Sequence, residues 1–481
     1  MTRHAEATAA GRLGATTPAP AGEDTLPDGL WLAYYGDDFT GSTDVMEAFT
    51  AAGVPTVLFL QPPGPQDLAR FPQARCVGVA GTSRGRSPAW MREHLPGVFE
   101  RLFALGAPVV QYKVCSTFDS SPEIGSIGQA LDLGVAHSRE AWTPMVVGAP
   151  RLQRYQAFGH LFAAAQGEVF RLDRHPTMSR HPVTPMDESD LRVHLARQTP
   201  RRIGLVNLAQ MQQGRGDAAL RALQGPDQPV VMLDVVDDHT QREAGRLVWQ
   251  QRGQGVFSAS SSGLQYALAA WWRSRGWLPA TPSLPQASPQ PCIAVVSGSC
   301  SPASAAQIDW AEAHGFAVER LDVAACVQPD RAEPEIERLV AWAAQAVSRG
   351  VSPIVCSARG PDDPAVTGFE TLTRRLGCTR AQGAERIGMA LAEVMRRLLD
   401  RSDLRRVVVA GGDSSGAVAG HLGLQAFTVL AGLAPGAPLC RAWSDDPRRD
   451  GLEIVLKGGQ VGGAAFYGEV RAGRQATPAA A

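Results

Sequence analysis

Long apolar runs, an excess of either charge and paired cysteines are all missing from this chain. No stretch of about 18 or more uninterrupted apolar residues occurs, so no transmembrane helix is predicted. Lysine plus arginine (46) nearly balance aspartate plus glutamate (47), and the net charge of -1 gives no electrostatic reason to expect nucleic acid or an anionic membrane as a partner. The eight cysteines include no CxxC pair and mostly stand in apolar runs. That argues for reduced thiols over disulfides or a zinc site, and for a cytoplasmic location. Neither GxxxxGK[ST] nor a strand-borne GxGxxG is present, which removes support for a Walker-type site and for a nicotinamide oxidoreductase. Residues 1–28 lack the apolar core of a signal peptide and read as a disordered tail, as do residues 473–481.

What the chain does have is length and alternation. Its 481 residues, 44% hydrophobic and 19% charged, describe a globular protein too long for one core, so two domains are expected. The clearest seam is the stretch from 278 to 291, LPATPSLPQASPQP, whose prolines favour an extended linker. It separates a domain at 29–277 from one at 291–472, with the linker at 278–290. Short apolar runs at 30–35, 56–59, 76–80, 109–113, 144–148, 202–206 and 229–233 read as strands in the first half. Runs at 292–297, 317–321, 353–356, 406–410 and 453–456 read so in the second. Helical spacing occurs at 89–105, 189–197, 217–223, 303–314, 334–348 and 385–399. The alternation predicts an α/β protein: two domains with parallel or mixed sheets flanked by helices, and an active-site cleft between them.

The residues that carry chemistry stand where predicted strands end. From Gly36 to Asp44, GDDFTGSTD, an apolar strand runs into two carboxylates, Asp37 and Asp38, then a small polar turn and a helix. Ligands of α/β sheets bind at that edge, and free amides at a helix start hold anions. The plainer alternative is that Asp38 or Thr40 only caps the helix. In the second half three strands lead into small polar loops: SGSCS at 297–301, GGDSS at 411–415 and KGG at 457–459. Glycines let a backbone approach a ligand closely, while serines and exposed amides hold phosphate oxygens. Three such loops in one domain point to a phosphate-bearing ligand, with ATP the candidate. The first half offers a different set: Arg84, Arg86 and Ser87; Lys113, Ser116, Thr117 and Asp119; and His181 in a stiff HPVTPM loop. Hydroxyls and cations beside two aspartates suit a small, anionic, polyhydroxylated substrate, with arginine clamping its carboxylate. Each has a plainer reading: Arg84 and Arg86 as solvated charges, Lys113 as a snorkelling strand end, His181 as a loop pin.

Together these motifs resemble the four-carbon acid sugar kinase family, over about 32–470. GDDFTG (36–41) looks like its ADDFTG, and Arg86-Ser87 resembles its SRS element. KVCSTFDS (113–120) with GSIG (125–128) is similar to its KxCSTFDS…GNIG segment, and HPVTPM (181–186) to its HP[IV]TPM loop. SGSCS, GGDSS and LKGG resemble its SGSCS, GGETS and LKSGN nucleotide-side loops. The resemblance implies a sugar-acid-binding first domain, an ATP-binding second domain, and phosphoryl transfer to the terminal hydroxyl to give a 4-phosphate. The STFDS form resembles the 3-oxo-tetronate kinases more than the threonate or erythronate kinases. The segments 149–155 and 462–467 differ from the family pattern, so the substrate within the class stays open.

The expected reaction uses Asp37 as base or hydroxyl-orienting group, with Asp38 holding a second hydroxyl or helping to bind Mg²⁺, and the two could be reversed. Arg86, Ser87, Lys113, Ser116, Thr117, Asp119 and His181 are expected to bind substrate. Ser299, Ser301, Gly411, Gly412, Asp413, Ser414 and Gly459 are expected to line the ATP site. Mg²⁺ should come with ATP through phosphates and water, its protein ligands unassigned. Closure about the linker should exclude water. A different small-molecule kinase, a nucleotide-dependent ligase and a non-catalytic nucleotide-binding sensor remain alternatives. The expected partner is a small-molecule sugar acid, with neither nucleic acid nor membrane; a homo-oligomer stays open.

Overall fold

The computed structural model describes residues 25–165, 167–181, 183–280 and 284–474, so most of both expected tails and three linker residues lie outside the described residues. Strands β1 (Leu32–Gly36), β2 (Thr56–Phe59), β3 (Cys76–Ala80) and β4 (Val109–Lys113) are short and buried along nearly their whole length, as parallel strands between helix layers must be. Next come β5 (Thr143–Met145), an antiparallel meander of β6 (Arg154–Ala157), β7 (His160–Ala165) and β8 (Glu168–Arg171), then β9 (Ile203–Val206), β10 (Val230–Leu233) and β11 (Val256–Ser260). The second half adds β12 (Ala294–Ser297), β13 (Ala317–Arg320), β14 (Pro353–Cys356) and β15 (Arg406–Ala410). It ends with β16 (Leu424–Ala434), β17 (Ala437–Ser444) and β18 (Glu453–Lys457).

Twelve strands form one mixed sheet in the order β11-β4-β1-β3-β2-β16-β17-β18-β15-β12-β14-β13, while β5, β10 and β9 form a second sheet and the meander a third. The two halves therefore share a sheet. Their junction is the antiparallel pairing of β2 with β16, through Leu58 opposite Phe427 and Phe59 opposite Ala426. The sequence pattern predicts neither β11, nor the meander, nor the long β16–β17 hairpin that makes the junction. Those strands contain Gly, Pro, Ala and Ser that dilute the apolar signal, and β16 and β17 carry register irregularities.

Because β16 and β18 run antiparallel to β17, the parallel strands of the second half run opposite to those of the first. The carboxyl ends of the two blocks nevertheless meet, since Thr40, just after β1, lies beside Gly412 and Gly458, just after β15 and β18. The described part of the proline stretch is a strap rather than a free tether. Ala287 N–H donates to Gly473 O at 3.0 Å, Gln290 N–H to Arg471 O at 2.8 Å, and Arg406 Nη2 to Ser288 O at 2.8 Å. Trp272, fully buried, packs against Trp31, Phe49 and Trp249 and fixes helix Phe39–Ala51 beside helix Gly263–Ser274. All eight cysteines are free thiols, and among the described residues no helix is long and apolar enough to cross a membrane.

Candidate functional site

At one edge of the sheet Gly36, Ala80, Lys113 and Ser260 stand in register, so the loops leaving β1, β3, β4 and β11 emerge together. After β1 the chain enters helix Phe39–Ala51 almost at once. Asp38 is its N-cap, with Oδ1 accepting the Gly41 N–H at 2.7 Å, so Thr40 to Thr43 belong to the helix and not to a turn before it. Asp37 is buried, while the Asp38 side chain is 27% exposed. Arg84, on a short turn after β3, lies between them. Its Nε and Nη2 donate to the two Asp37 oxygens at 3.1 and 2.7 Å, and its Nη1 and Nη2 to those of Asp38 at 2.7 and 2.9 Å. Burial pushes the Asp37 carboxyl above its ordinary value; Arg84 pulls it back, and the Asp38 charge adds to the rise.

Arg84, weighed from sequence as a solvated charge, is thus the arginine of the aspartate pair. Arg86 and Ser87 stand apart and exposed: Arg86 lies 5.4 Å from the Trp90 ring, and Ser87 caps helix Pro88–Ala104. Lys113 is buried with its Nζ 3.8 Å from Asp44, close behind Gly41, where an added Cβ would collide with it and with Asp38. In the following loop Ser116 is half-buried and Thr117 Oγ1 donates to Asp119 at 2.8 Å. Although burial works against it, Arg84 and hydrogen bonds from Cys115 and Thr117 hold the Asp119 carboxyl below its ordinary value. Between them Phe118 adopts φ 57°, a left-handed conformation that costs a non-glycine residue about 1–3 kcal/mol. His181 pins its own loop, Nδ1 accepting the Thr184 N–H at 3.1 Å, and among the described residues it makes no hydrogen bond or ion pair with the aspartate pair.

In the second half Ser297, Ala410 and Lys457 are aligned at the carboxyl ends of β12, β15 and β18. Gly411, at φ 119°, turns the chain straight into helix Gly412–His421, so what reads as a loop is a helix start with no side-chain cap. Its first internal bond is Ser415 N–H to Gly411 O, which leaves the amides of Gly412, Asp413 and Ser414 ahead of the ladder. Ser299, Ser301 and Gly459 interlock. Ser301 Oγ donates to Gly459 O at 2.5 Å while capping helix Pro302–Ala313, and Ser304 Oγ lies 2.9 Å from Ser299 Oγ and 3.1 Å from Gly459 O. Side chains at Gly298 or Gly459 would run into Ser414 or Ser299, so glycine is what lets the three segments close up. Lys457 is fully buried beneath them; its Nζ reaches only Ser304 Oγ, at 3.4 Å, among the described residues.

Thr40 joins the two sets. A Cβ on Gly412 would lie 3.6 Å from its Oγ1, and one on Gly458 would lie 3.3 Å from its Cγ2. The carboxylate pair therefore sits across a narrow gap from the uncapped helix start and the lysine loop. A cavity of about 430 Å³ lies between Leu433–Pro435 of the hairpin turn and Gln460–Gly463, and its lining includes neither the aspartate pair nor the start of helix Gly412–His421. Sequence left two cations unassigned. Besides Lys457, Arg154 on β6 is half-buried, with Nη1 near the carbonyls of Leu152, Gln153 and Ala164, Nε without a partner, and no carboxylate bound among the described residues. Lys457 carries the signal of its glycine-rich KGG loop, whereas Arg154 is only a basic residue at the start of a strand, which fits many solvated side chains equally well.

A family model described as a sugar-binding N-terminal domain matches residues 32–268, and one described as a nucleotide-binding C-terminal domain matches residues 294–467. The chain is 66% identical to a 3-oxo-isoapionate kinase of Paraburkholderia graminis, over 94% of this chain and 96% of that protein. It is 33% identical to a 3-oxo-tetronate kinase of Methylobacterium radiotolerans, over 91% and 98%. Among solved structures, a Salmonella typhimurium protein has the same fold with a TM-score of 0.73 at 24% identity, covering 91% of this chain and 97% of that one.

Proposed function

Because the chain belongs to the four-carbon acid sugar kinase family, we propose that it transfers the γ-phosphoryl group of ATP to the terminal hydroxyl of a 3-oxo sugar acid, of the 3-oxo-isoapionate kind before the 3-oxo-tetronate kind. The observation that carries this reading is the meeting, at Thr40, of an arginine-clamped carboxylate pair with an uncapped helix start and two serine- and glycine-rich loops. One side suits hydroxyls; the other suits phosphates.

In the reaction the acceptor oxygen bonds to the γ-phosphorus and the bond to the β–γ bridging oxygen breaks. ADP leaves with that electron pair, and the hydroxyl proton passes to a carboxylate. The exposures favour Asp38 for that proton, since its carboxylate reaches the gap while Asp37 is buried and anchors Arg84. Arg84 in turn holds the charge of the pair in place. For the substrate carboxylate, Arg154 is better supported than Arg86: it is half-buried, binds no acid among the described residues, and its charge acts on Cys115 on the loop of Thr117 and Asp119. Among the described residues no cluster of three or more acids, histidines or cysteines forms a metal cage. Mg²⁺ would be carried by the nucleotide's phosphates and water, where it would neutralise their charge.

The test is ADP release by the purified protein with Mg-ATP and a panel of 3-oxo-isoapionate, 3-oxo-tetronate, threonate and erythronate isomers, with the product's phosphorylation site read by NMR. The expected result is the highest kcat/KM with a 3-oxo acid and a phosphate on its terminal oxygen. ADP release no faster than the acid-free blank with every member would sink the proposal.

A further inference from the structure

Lys457 is the last residue of β18, and its ammonium is enclosed completely. Among the described residues its single hydrogen bond goes to Ser304 Oγ, whose one proton is already directed at Ser299 Oγ or Gly459 O, leaving a lone pair for the lysine. Titratable groups do stand on the elements around it: Asp44 and Glu47 on helix Phe39–Ala51, His421 on helix Gly412–His421, Cys440 and Arg441 on β17, Arg406 on β15, Cys300 before helix Pro302–Ala313, Asp309 on that helix and Glu453 on its own strand. None of them acts on it, and Glu453 is engaged by Arg406. A buried cation with no anion beside it among the described residues is a standing cost to the empty protein. It is not explained by packing, because an apolar side chain of the same length would fill the space without that cost. The three segments around it are the ones the proposed function gives to the nucleotide.

We infer that Lys457 is held unpaired as the cation for the nucleotide's phosphates, its charge acting on them from beneath the Ser299–Ser301 loop and the start of helix Gly412–His421. This inference rests on the ATP reading of the site. Burial alone pulls the lysine down to about 8, so above that pH the empty enzyme holds it neutral. A phosphate nearby favours the ammonium, so nucleotide binding above pH 8 draws in a proton.

The experiment compares the wild type with Lys457→Met and Lys457→Gln by calorimetric melting with and without Mg-ATP, by steady-state kinetics, and by binding calorimetry at pH 8.5 in buffers of different ionisation enthalpy. The expected pattern has opposite signs in the two states. Nucleotide-free Lys457→Met melts at or above the wild type, because a buried unpaired amine has been removed, yet its Mg-ATP-induced shift is lost. Its KM for ATP rises at least about tenfold while the KM for the sugar acid stays within about twofold. The buffer-dependent proton uptake seen in the wild type disappears in both variants. A merely structural lysine gives the reverse: a lower melting temperature without nucleotide, or misfolding of both variants, or an ATP KM and thermal shift unchanged in the variants. Any of these overturns the inference. A wild type that shows no thermal shift with Mg-ATP overturns the ATP reading as well, which separates the two failures.

Discussion

Asp37 and Asp38 are neighbours on the chain with opposite surroundings, and the proposed reaction gives them separate tasks. Asp38 caps a helix and keeps an exposed edge; Asp37 is buried and doubly bonded to Arg84. Asp38→Asn should lower kcat by about 10²–10⁴-fold, the usual range for a lost proton acceptor, with little change in the KM for ATP. Near-wild-type kcat in steady-state kinetics would move the role elsewhere. Asp37 binds its proton more tightly folded than unfolded, so its contribution to stability is present at low pH and is lost as pH rises through its raised value. Arg154→Gln removes a charged partner worth about 10–100-fold in binding, so the KM for the sugar acid should rise by that order while the ATP KM holds. Equal KM values for the acid would return the carboxylate to another cation. Lys at 154 would restore the charge but not the two-pronged geometry.

Helix Phe39–Ala51 does more than present its capped end. Near its other end Glu47 accepts the N–H of Gly436, in the turn of the β16–β17 hairpin, at 2.6 Å. Burial pushes this carboxyl from 4.5 to about 7, with Asp44 adding to the rise and the Gly436 amide opposing it. A raised value means the folded protein gains most from Glu47 below pH 4.5 and loses that contribution as pH climbs through 7. Glu47→Gln keeps the acceptor and removes the titration. Its melting temperature should exceed that of the wild type at pH 8, and its stability should vary less between pH 5 and 7. An unaltered pH profile in calorimetry would show that the contact is not titrating. The helix itself, and β3, β4, β14 and β15, are legible from sequence because burial on both faces or on one stripe writes a local pattern. The hairpin is not, because its strands are defined by the partners they pair with, and its Gly and Pro residues mask the alternation.

At the scale of the whole molecule, the halves are joined by sheet pairing and by helix Phe39–Ala51 as well as by a connecting segment. Phe427 lies at the joint: fully buried, opposite Leu58 and 6.0 Å from the ring of Phe39, the residue after Asp38. Phe427→Ala should cost about 3–5 kcal/mol, lowering the melting temperature, and should reduce kcat by loosening the two halves of the site. A stable variant with full kcat would mean that the junction does not hold them. Sequence by itself determined the α/β class, the strand-end positions of Asp37, Asp38, Gly411 and Lys457, and the division between a hydroxyl-suited half and a phosphate-suited half. All of these follow from local periodicity and from side-chain chemistry at short range. Only the tertiary structure decided that the two halves share one sheet, that Arg84 rather than Arg86 meets the aspartates, and that Thr40 faces Gly412 and Gly458. Those outcomes depend on which edge strand finds which partner and on how far the sheet then twists. Hydrogen bonding and packing between residues remote in sequence settle such matters, and no local pattern encodes them.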